Sequence, residues 1–105
     1  MSEEISRREE QILISIWELK DDAYLVSIKK YLSEVLGKNW TVGAIHKPLM
    51  RLEKMKLVDS VMGESKSVRG GRSKKIYTIT EKGMEILRYH KKLNDTLWAN
   101  FYAMF

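Results

Sequence analysis

The sequence contains no cysteine and a single proline, and charged residues interrupt its apolar stretches before they reach the roughly 18 residues that a membrane span requires. Without cysteine, the chain can form neither a disulfide framework nor a thiolate metal site. The first residues also lack the basic segment and apolar core of a secretion signal. These absences predict a cytoplasmic protein with no membrane partner.

Motifs that mark catalytic sites are missing as well. The sequence has no G-x-S-x-G elbow, no H-E-x-x-H pair and no P-loop, and Gly70 with Gly71 is too short a glycine stretch for a nucleotide loop. The two histidines, His46 and His90, have no carboxylate spaced to complete a three-ligand metal site on one helix. We therefore expect neither an enzyme nor a protein that binds a metal or a cofactor.

The basic residues are concentrated in one segment. The whole chain of 105 residues, the length of one small domain, has a net charge of +5. Residues 66–75 alone carry five basic side chains and no acidic one. Because like charges repel one another when nothing neutralises them, this segment indicates contact with an anionic partner. Its basic residues are Lys66, Arg69, Arg72, Lys74 and Lys75.

Apolar spacing predicts two helices in the first third of the chain. Ser6 and Glu9 form a capping box, and the helix that follows them should end near Lys20. After a turn, apolar residues recur with helical spacing from Leu25 onward. Gly37 lies where a left-handed cap would end this second helix.

A third helix and a hairpin are predicted next. Thr41 caps the third helix, in which Pro48 predicts a kink or a later start, because a proline inside a helix costs about 3 kcal/mol. The pattern then changes to β-branched and aromatic residues, which predict one strand from Val58 to a break at Gly63 and another over residues 75–79. The two strands would flank a basic loop that contains glycine.

The last predicted element is a helix that follows Thr80 and can run to Phe105, about 26 residues and so roughly 39 Å long. This order of elements is typical of a winged helix-turn-helix, an α+β fold with three helices and a two-stranded β-hairpin wing. We therefore assign residues 1–79 to a winged-helix DNA-binding domain. Residues 80–105 form a long C-terminal dimerisation helix within the same continuous structural unit.

In a winged helix-turn-helix the third helix enters the major groove of DNA, and the hairpin lies along the backbone or the minor groove. Cations facing outward from the third helix can donate to bases or phosphates, and small residues there allow close approach. An ordinary solvated helix face and a solvated turn are the alternative interpretations. The predicted DNA-binding residues are Thr41, Gly43, Ala44, His46, Lys47, Arg51 and Lys54 on the third helix, and Lys66, Arg69, Gly70, Gly71, Arg72, Lys74 and Lys75 in the hairpin.

A family resemblance becomes specific at the hairpin. Residues 70–83, GGRSKKIYTITEKG, with Leu87 beyond them, closely resemble the wing and the start of the following helix in PadR-family transcriptional regulators. Residues 43–45, 51–54 and 57–58 resemble the recognition-helix segment of that family. The resemblance implies a dimeric repressor whose long C-terminal helix exchanges contacts between subunits. It also implies, for many members, a response to small phenolic or hydrophobic compounds.

The sequence departs from the pattern of that family at two places. Where the family commonly has Tyr followed by Pro, this chain has His46 and Lys47, with Pro48 one place later. Because the proline is displaced by one position, the residues of the third helix that contact bases can differ from those of the family. Lys56 stands where the family has a glycine before Leu57. A strained or altered turn is expected there, because a positive φ is disfavoured for residues that carry a side chain.

The end of the last helix is apolar around most of its circumference, so another surface must cover it. Packing of two chains, including contact with the first helix of the partner, is our main interpretation. A sharper hypothesis places Trp17, Trp98 and Phe101 around a flat pocket between subunits that binds a planar effector, and a plain interface core is its alternative. The predicted dimer interface comprises Ile12, Ile16, Ile86, Leu93, Leu97, Trp98, Phe101, Met104 and Phe105.

These observations together predict a dimeric, sequence-specific DNA-binding regulator. It would repress transcription by occluding a roughly palindromic promoter site and would respond to a small hydrophobic or aromatic effector. A function of a different class is a winged-helix protein-interaction module whose basic hairpin binds an acidic partner. A binder of RNA or single strands would need aromatic residues beside the cations, whereas here the aromatic residues cluster at positions 98–105.

Overall fold

The structure is a computed structural model that describes residues 4–63 and 74–104. Three helices are followed by an antiparallel pair of strands and a long final helix, which is the predicted winged helix-turn-helix order. The elements are α1 (Arg7–Leu19), a short 3-10 turn (Lys20–Asp22), α2 (Leu25–Leu36), α3 (Val42–Lys54), β1 (Val58–Gly63), β2 (Lys74–Ile79) and α4 (Glu81–Ala103).

The first two helices begin and end where local signals in the sequence predict. At the start of α1, the Ser6 hydroxyl accepts from the Glu9 N–H at 3.1 Å, and the Glu9 carboxylate accepts from the Ser6 N–H at 2.8 Å. This reciprocal pair satisfies backbone donors that a helix start leaves unpaired. At the end of α2, Gly37 has a φ of 67° and donates its N–H to the Ser33 carbonyl oxygen at 3.0 Å. The predicted capping box and left-handed cap are both confirmed.

Pro48 does not delay the start of α3. The helix begins at Val42, and the Thr41 hydroxyl caps it by accepting from the Ala44 N–H at 3.0 Å. The prediction of a later start is therefore wrong. A proline inside a helix costs about 3 kcal/mol, but burying one large apolar side chain is worth about 1.5–3 kcal/mol. Three such residues of α3 are fully buried, namely Ile45, Leu49 and Leu52.

The core lies between the three short helices and the inner side of the hairpin. The segment between α1 and α2 is tied to the hairpin, because the Tyr77 N–H of β2 donates to the Ala23 carbonyl oxygen at 2.7 Å. Val58 of β1 and Ile86 of α4 complete the buried cluster. Its fully buried members include Ile12, Leu13, Ile28, Ile45, Leu49, Leu52 and Leu57.

A tight turn after α3 is fastened to the first turn of α4, and we call residues 55–57 with residues 80–83 the α3–α4 joint. Lys56 has a φ of 63°, as expected for the position where the family resemblance placed a glycine. The Thr80 hydroxyl donates to the Lys56 carbonyl oxygen at 2.8 Å, and the Thr80 N–H donates to the Leu57 carbonyl oxygen at 3.0 Å. The capping residue of α4 therefore also fixes this turn.

Two further contacts close the joint. The Lys82 ammonium donates to the Met55 carbonyl oxygen at 3.1 Å. Gly83 is buried against the turn, and a Cβ placed on it would lie 2.3 Å from the Leu57 carbonyl oxygen. The backbones of α4 and the turn therefore approach more closely than any other residue at position 83 would allow.

We expect Lys56→Gly to raise the free energy of unfolding by about 0.5–1 kcal/mol. A left-handed backbone costs a residue with a Cβ about 1–2 kcal/mol, and glycine would remove this strain. Glycine is also more flexible in the unfolded chain, which lowers the gain in stability by roughly 0.5–1 kcal/mol. Urea denaturation measures the change. Lys47→Gly, at an exposed position in the interior of α3, is the control and should lose about 1 kcal/mol. A loss of stability in both variants would contradict the strain assigned to Lys56.

The second half of α4 extends away from the core. The helix has 23 residues, which corresponds to a length of about 35 Å, and the described residues from 91 onward are all exposed. The molecule is accordingly elongated, with principal extents of 58 × 32 × 21 Å. No helix among the described residues combines the length and apolarity needed to cross a bilayer. The predicted end of α4 at Phe105 lies outside the described residues.

Candidate nucleic-acid interface

The side of α3 that faces away from the core carries the residues predicted to contact DNA. Ile45, Leu49 and Leu52 fix the orientation of the helix by facing inward, where they are fully buried. Ala44 is partly buried, whereas the other predicted positions on α3 are exposed to solvent. Those exposed positions are Thr41, Gly43, His46, Lys47, Arg51 and Lys54.

Arg51 differs from the other basic residues of this side because it is ion-paired with α1. Its Nη1 atom donates to both carboxylate oxygens of Glu9, at 2.6 Å and 2.7 Å. The Glu9 residue is only 4 % exposed, while 53 % of the Arg51 side chain remains exposed. The guanidinium therefore joins α3 to α1 and still has donors that reach solvent.

Glu9 is ionised in the folded protein at neutral pH. Burial by itself raises the pKa of its carboxyl group, but hydrogen bonds from the Ser6 N–H and the Arg51 guanidinium outweigh that effect. The pKa of Glu9 consequently lies below its ordinary value of 4.5. A buried negative charge thus serves both as the cap of α1 and as the partner of Arg51.

A second carboxylate on α3 holds the base of the hairpin. Glu53 accepts from the Ser60 hydroxyl of β1 at 2.5 Å and from the Lys75 ammonium of β2 at 3.0 Å. The Ser60 hydroxyl and Lys75 lower the pKa of Glu53, and Glu53 in turn raises the pKa of Lys75. The Lys74 ammonium lies 3.9 Å from the ring centroid of Tyr24. Both predicted cations at the hairpin base therefore have partners within the chain.

The remaining predicted hairpin contacts lie outside the described residues. They are Lys66, Arg69, Gly70, Gly71 and Arg72.

Reasoning from the sequence missed a group of cations beside the start of α3. Arg7, Arg8 and Lys38 line an open groove of about 410 Å³ together with Gln11, Asn39, Trp40, Thr41 and Ala44, and we call it the α1–α3 groove. The Arg8 guanidinium lies 5.4 Å from the ring centroid of Trp40. The signal available in the sequence was the pair of arginines in the first turn of α1, where cations are unfavourable to a helix.

The predicted dimer interface needs a correction at α1. Ile12 and Ile16 are 0 % and 2 % exposed, and Ile86 is also buried, so these side chains already pack within the core of a single chain. Their periodicity marks that core, so these three side chains are not available to a partner. The remaining described positions of the prediction are exposed on α4, namely Leu93, Leu97, Trp98, Phe101 and Met104. Phe105 lies outside the described residues.

Two of the three residues of the effector hypothesis, Trp98 and Phe101, line one hollow on the surface of α4. Trp98 and Phe101 contact edge to face, with ring centroids 5.5 Å apart, and they line a surface hollow of about 250 Å³ with Asn94 and Leu97. Trp17 does not line this hollow, and the Lys20 ammonium lies 4.1 Å from its ring centroid. All three side chains are about half exposed.

Side chains suited to metal binding do not cluster in the described part of the chain. Within residues 4–63 and 74–104, no three His, Asp or Glu side chains are placed to hold one ion. His46 lies on the exposed side of α3, and His90 is partly buried on α4. The Tyr89 and His90 rings contact edge to face at 5.8 Å. These histidines thus occupy separate surfaces.

One family model matches most of this chain, and several solved structures of transcriptional regulators share its fold. A sequence model of the Transcriptional regulator PadR-like family matches residues 13–89. The crystal structure of a PadR-like transcriptional regulator from Bacillus cereus is similar to this chain at 25 % identity, covering 91 % of this chain and 88 % of that one, with a TM-score of 0.76. A Streptococcus transcriptional regulator is similar at 24 % identity, with coverages of 91 % and 89 % and a TM-score of 0.76. A PadR family transcription regulator from Clostridium difficile is similar at 23 % identity, with coverages of 90 % and 96 % and a TM-score of 0.67. No curated protein sequence matches the chain.

Proposed function

The chain belongs to the PadR-like family of transcriptional regulators, and from this membership we propose that it binds a roughly palindromic DNA site as a homodimer and represses transcription there. Each subunit would place α3 in the major groove of one half-site. A dimer bound across a promoter would block access to it. This mechanism requires no catalytic group.

The observation that carries the proposal is the exposed side of α3. Near the start of the helix, Gly43 is exposed and has nothing within 4 Å of the position that a Cβ would occupy. A DNA edge can therefore approach the backbone closely at this point. Lys47 follows one turn later and is exposed, so its ammonium can donate to a base acceptor or a phosphate. Glu9, which lines the same surface, is neutralised by Arg51.

Dimerisation is supported by the apolar surface of α4. Leu97 is 67 % exposed and Met104 is 82 % exposed, which is unfavourable for large apolar side chains in water. Packing of two α4 helices would remove these side chains from solvent. The same packing would enclose the hollow beside Trp98 and Phe101, and we propose this hollow as the place where a small hydrophobic effector changes the spacing of the two α3 helices.

Selection of bound duplexes from a random pool at about 0.15 M salt tests the proposal, with the molar mass of the same sample measured by light scattering. We expect one enriched palindrome and a mass of two 12.3 kDa chains. Lys47→Ala should weaken binding to the selected site by about 1–3 kcal/mol and relax the preference at one position of each half-site. Lys92→Ala, which removes the same charge from α4, is the matched control and should leave the preference unchanged.

Two results would contradict this proposal. A pool without any enriched sequence would exclude specific recognition, and tight binding to a polyglutamate peptide in the same buffer would then favour the protein-interaction module. A monomer at concentrations that saturate the selected site would exclude recognition by a dimer. An effector is tested separately, by asking whether any compound from a hydrophobic screen changes the affinity for the selected duplex.

A further inference from the structure

The first turn of α1 carries two cations that do not serve the stability of the helix. Arg7 and Arg8 are the first two helical residues of α1, and both are exposed. The start of a helix bears a partial positive charge, so cations in its first turn are repelled. The capping box already satisfies the local backbone donors through Ser6 and Glu9. Arg8 contacts the Trp40 ring, but that contact does not account for the second arginine, so another role is needed to explain the adjacent pair.

These arginines lie beside the helix that is proposed to enter DNA. Arg7, Arg8 and Lys38 line the α1–α3 groove, which also includes Thr41, the cap of α3. Within the described residues that line this groove there are three cations and no acid. The groove is thus a positively charged concavity at the start of α3.

A second open groove continues the first one along α3. Arg8 and Ala44 line both grooves, and the second adds Lys47 and Arg51. The one carboxylate among the described residues that line either groove is Glu9, and Arg51 neutralises it. Basic side chains therefore follow each other along the two grooves from Arg7 to Arg51, and no uncompensated carboxylate lies among the described residues that line them.

We propose that the α1–α3 groove binds backbone phosphates of the DNA strand that flanks the major groove occupied by α3. The inference rests on the proposed function and adds to it a contact that lies outside α3 and the hairpin. Arg7, Arg8 and Lys38 neutralise the phosphates. The contact is independent of base sequence, because phosphates carry no direct sequence information. It lengthens the footprint of each subunit and makes binding more dependent on salt.

The test compares two double variants on the selected duplex. Arg7→Gln/Arg8→Gln removes two cations from the groove, and Arg88→Gln/Lys92→Gln removes two exposed cations from α4. Affinities are measured by fluorescence anisotropy between about 0.05 and 0.2 M salt. Each phosphate contact contributes about 0.9 to the slope of log affinity against log salt concentration. The groove variant should therefore reduce the magnitude of that slope by about 1–2, and the α4 variant should leave it unchanged.

Two further readouts separate this contact from folding and from base recognition. The melting temperature of Arg7→Gln/Arg8→Gln should stay close to that of the unchanged protein, because the relief of repulsion at the start of α1 opposes the loss of the contact between Arg8 and the Trp40 ring. Its order of preference among mismatched duplexes should be retained, because only phosphate contacts are lost. Loss of affinity without loss of stability or preference is the expected result.

An unchanged salt slope in the groove variant, or an equal decrease in both variants, would overturn the groove contact while leaving specific DNA binding intact. Failure of the unchanged protein to select any duplex would instead overturn the proposed function on which the groove contact rests. Whether the unchanged protein selects a duplex distinguishes these two failures. Lys38→Gln provides an independent check and should reduce the slope by about 0.9 or less.

Discussion

Replacing Arg51 by alanine is expected to lower the free energy of unfolding by about 2–3 kcal/mol at neutral pH. The substitution leaves the Glu9 carboxylate, which is 4 % exposed, without its cationic partner. Breaking a fully buried pair in this way costs about 3–5 kcal/mol. Because half of the Arg51 side chain is in contact with water, solvent weakens the pair, and the expected loss is about 2–3 kcal/mol. Urea denaturation followed by circular dichroism measures the loss.

A double variant distinguishes this ion pair from simple loss of a side chain. Glu9→Gln/Arg51→Ala has no buried charge, so it should regain much of the stability that Arg51→Ala loses. Lys47→Ala is the matched control on the same side of α3, and it should change stability by less than about 0.5 kcal/mol. If Arg51→Ala cost no more than Lys47→Ala, the pair with Glu9 would be of no importance for stability.

The effect of Arg51→Ala should disappear in acid. The pKa of Glu9 is lowered by folding, so the stabilisation that the ionised carboxylate provides is complete above its ordinary value of 4.5. It is lost as the pH falls through the lower pKa of the folded state. The unfolding free energies of the two proteins should therefore converge below pH 4.5. A difference that stays constant into strong acid would assign the loss to packing.

Replacing Gly83 by alanine is expected to destabilise the protein by about 3 kcal/mol or more. The added Cβ would lie 2.3 Å from the Leu57 carbonyl oxygen and 2.7 Å from Cγ1 of Ile79. The first of these neighbours is backbone that a hydrogen bond from Thr80 holds in place. Overpacking in a core costs about 1–3 kcal/mol, and more where the backbone cannot move. Thermal unfolding should show a melting point lowered by about 10 °C or more.

Gly43→Ala is the matched control for this prediction. Gly43 also lies in the first turn of a helix, and nothing lies within 4 Å of the position of its missing Cβ. Alanine is favoured over glycine inside helices by about 1 kcal/mol, so this variant should be equally or more stable than the unchanged protein. The same chemical change is thus expected to have opposite signs at the two positions. Equal effects at both would show that α4 is not held tightly against the turn.

Sequence reasoning succeeded where the signal is local. The capping box at Ser6 and Glu9 and the left-handed Gly37 depend on residues within one turn of each other. The positive φ of Lys56 followed from the family resemblance and was also found. The later start of α3 predicted from Pro48 was wrong, because the cost of proline is local, whereas the burial that offsets it comes from contacts with other elements of the fold. The alternative, a kink at Pro48, stays a prediction.

The contacts that organise the candidate interface could not be predicted from the sequence, because they join residues that are far apart along the chain. Glu9 and Arg51 are separated by 42 positions, and only the packing of α1 on α3 brings them together. Ile12 and Ile16 were correctly predicted to lie on an apolar helix face, but they were assigned to the wrong contact. Helical periodicity shows that one face is apolar without showing which surface covers it. That surface is the core of the chain itself.

The α3–α4 joint gives the molecule the mechanics of a lever. Hydrogen bonds from Thr80 and Lys82 and the close approach of Gly83 leave little freedom between the end of α3 and the start of α4. The long arm is α4 itself, with its 23 residues. At about 35 Å in length, a displacement of about 3 Å at its far end corresponds to a rotation of about 5° of the unit that α3 and α4 form. Because Ile86 of α4 also lies in the shared core, a partner that moves the far end of α4 would turn α3 together with α4, as one body.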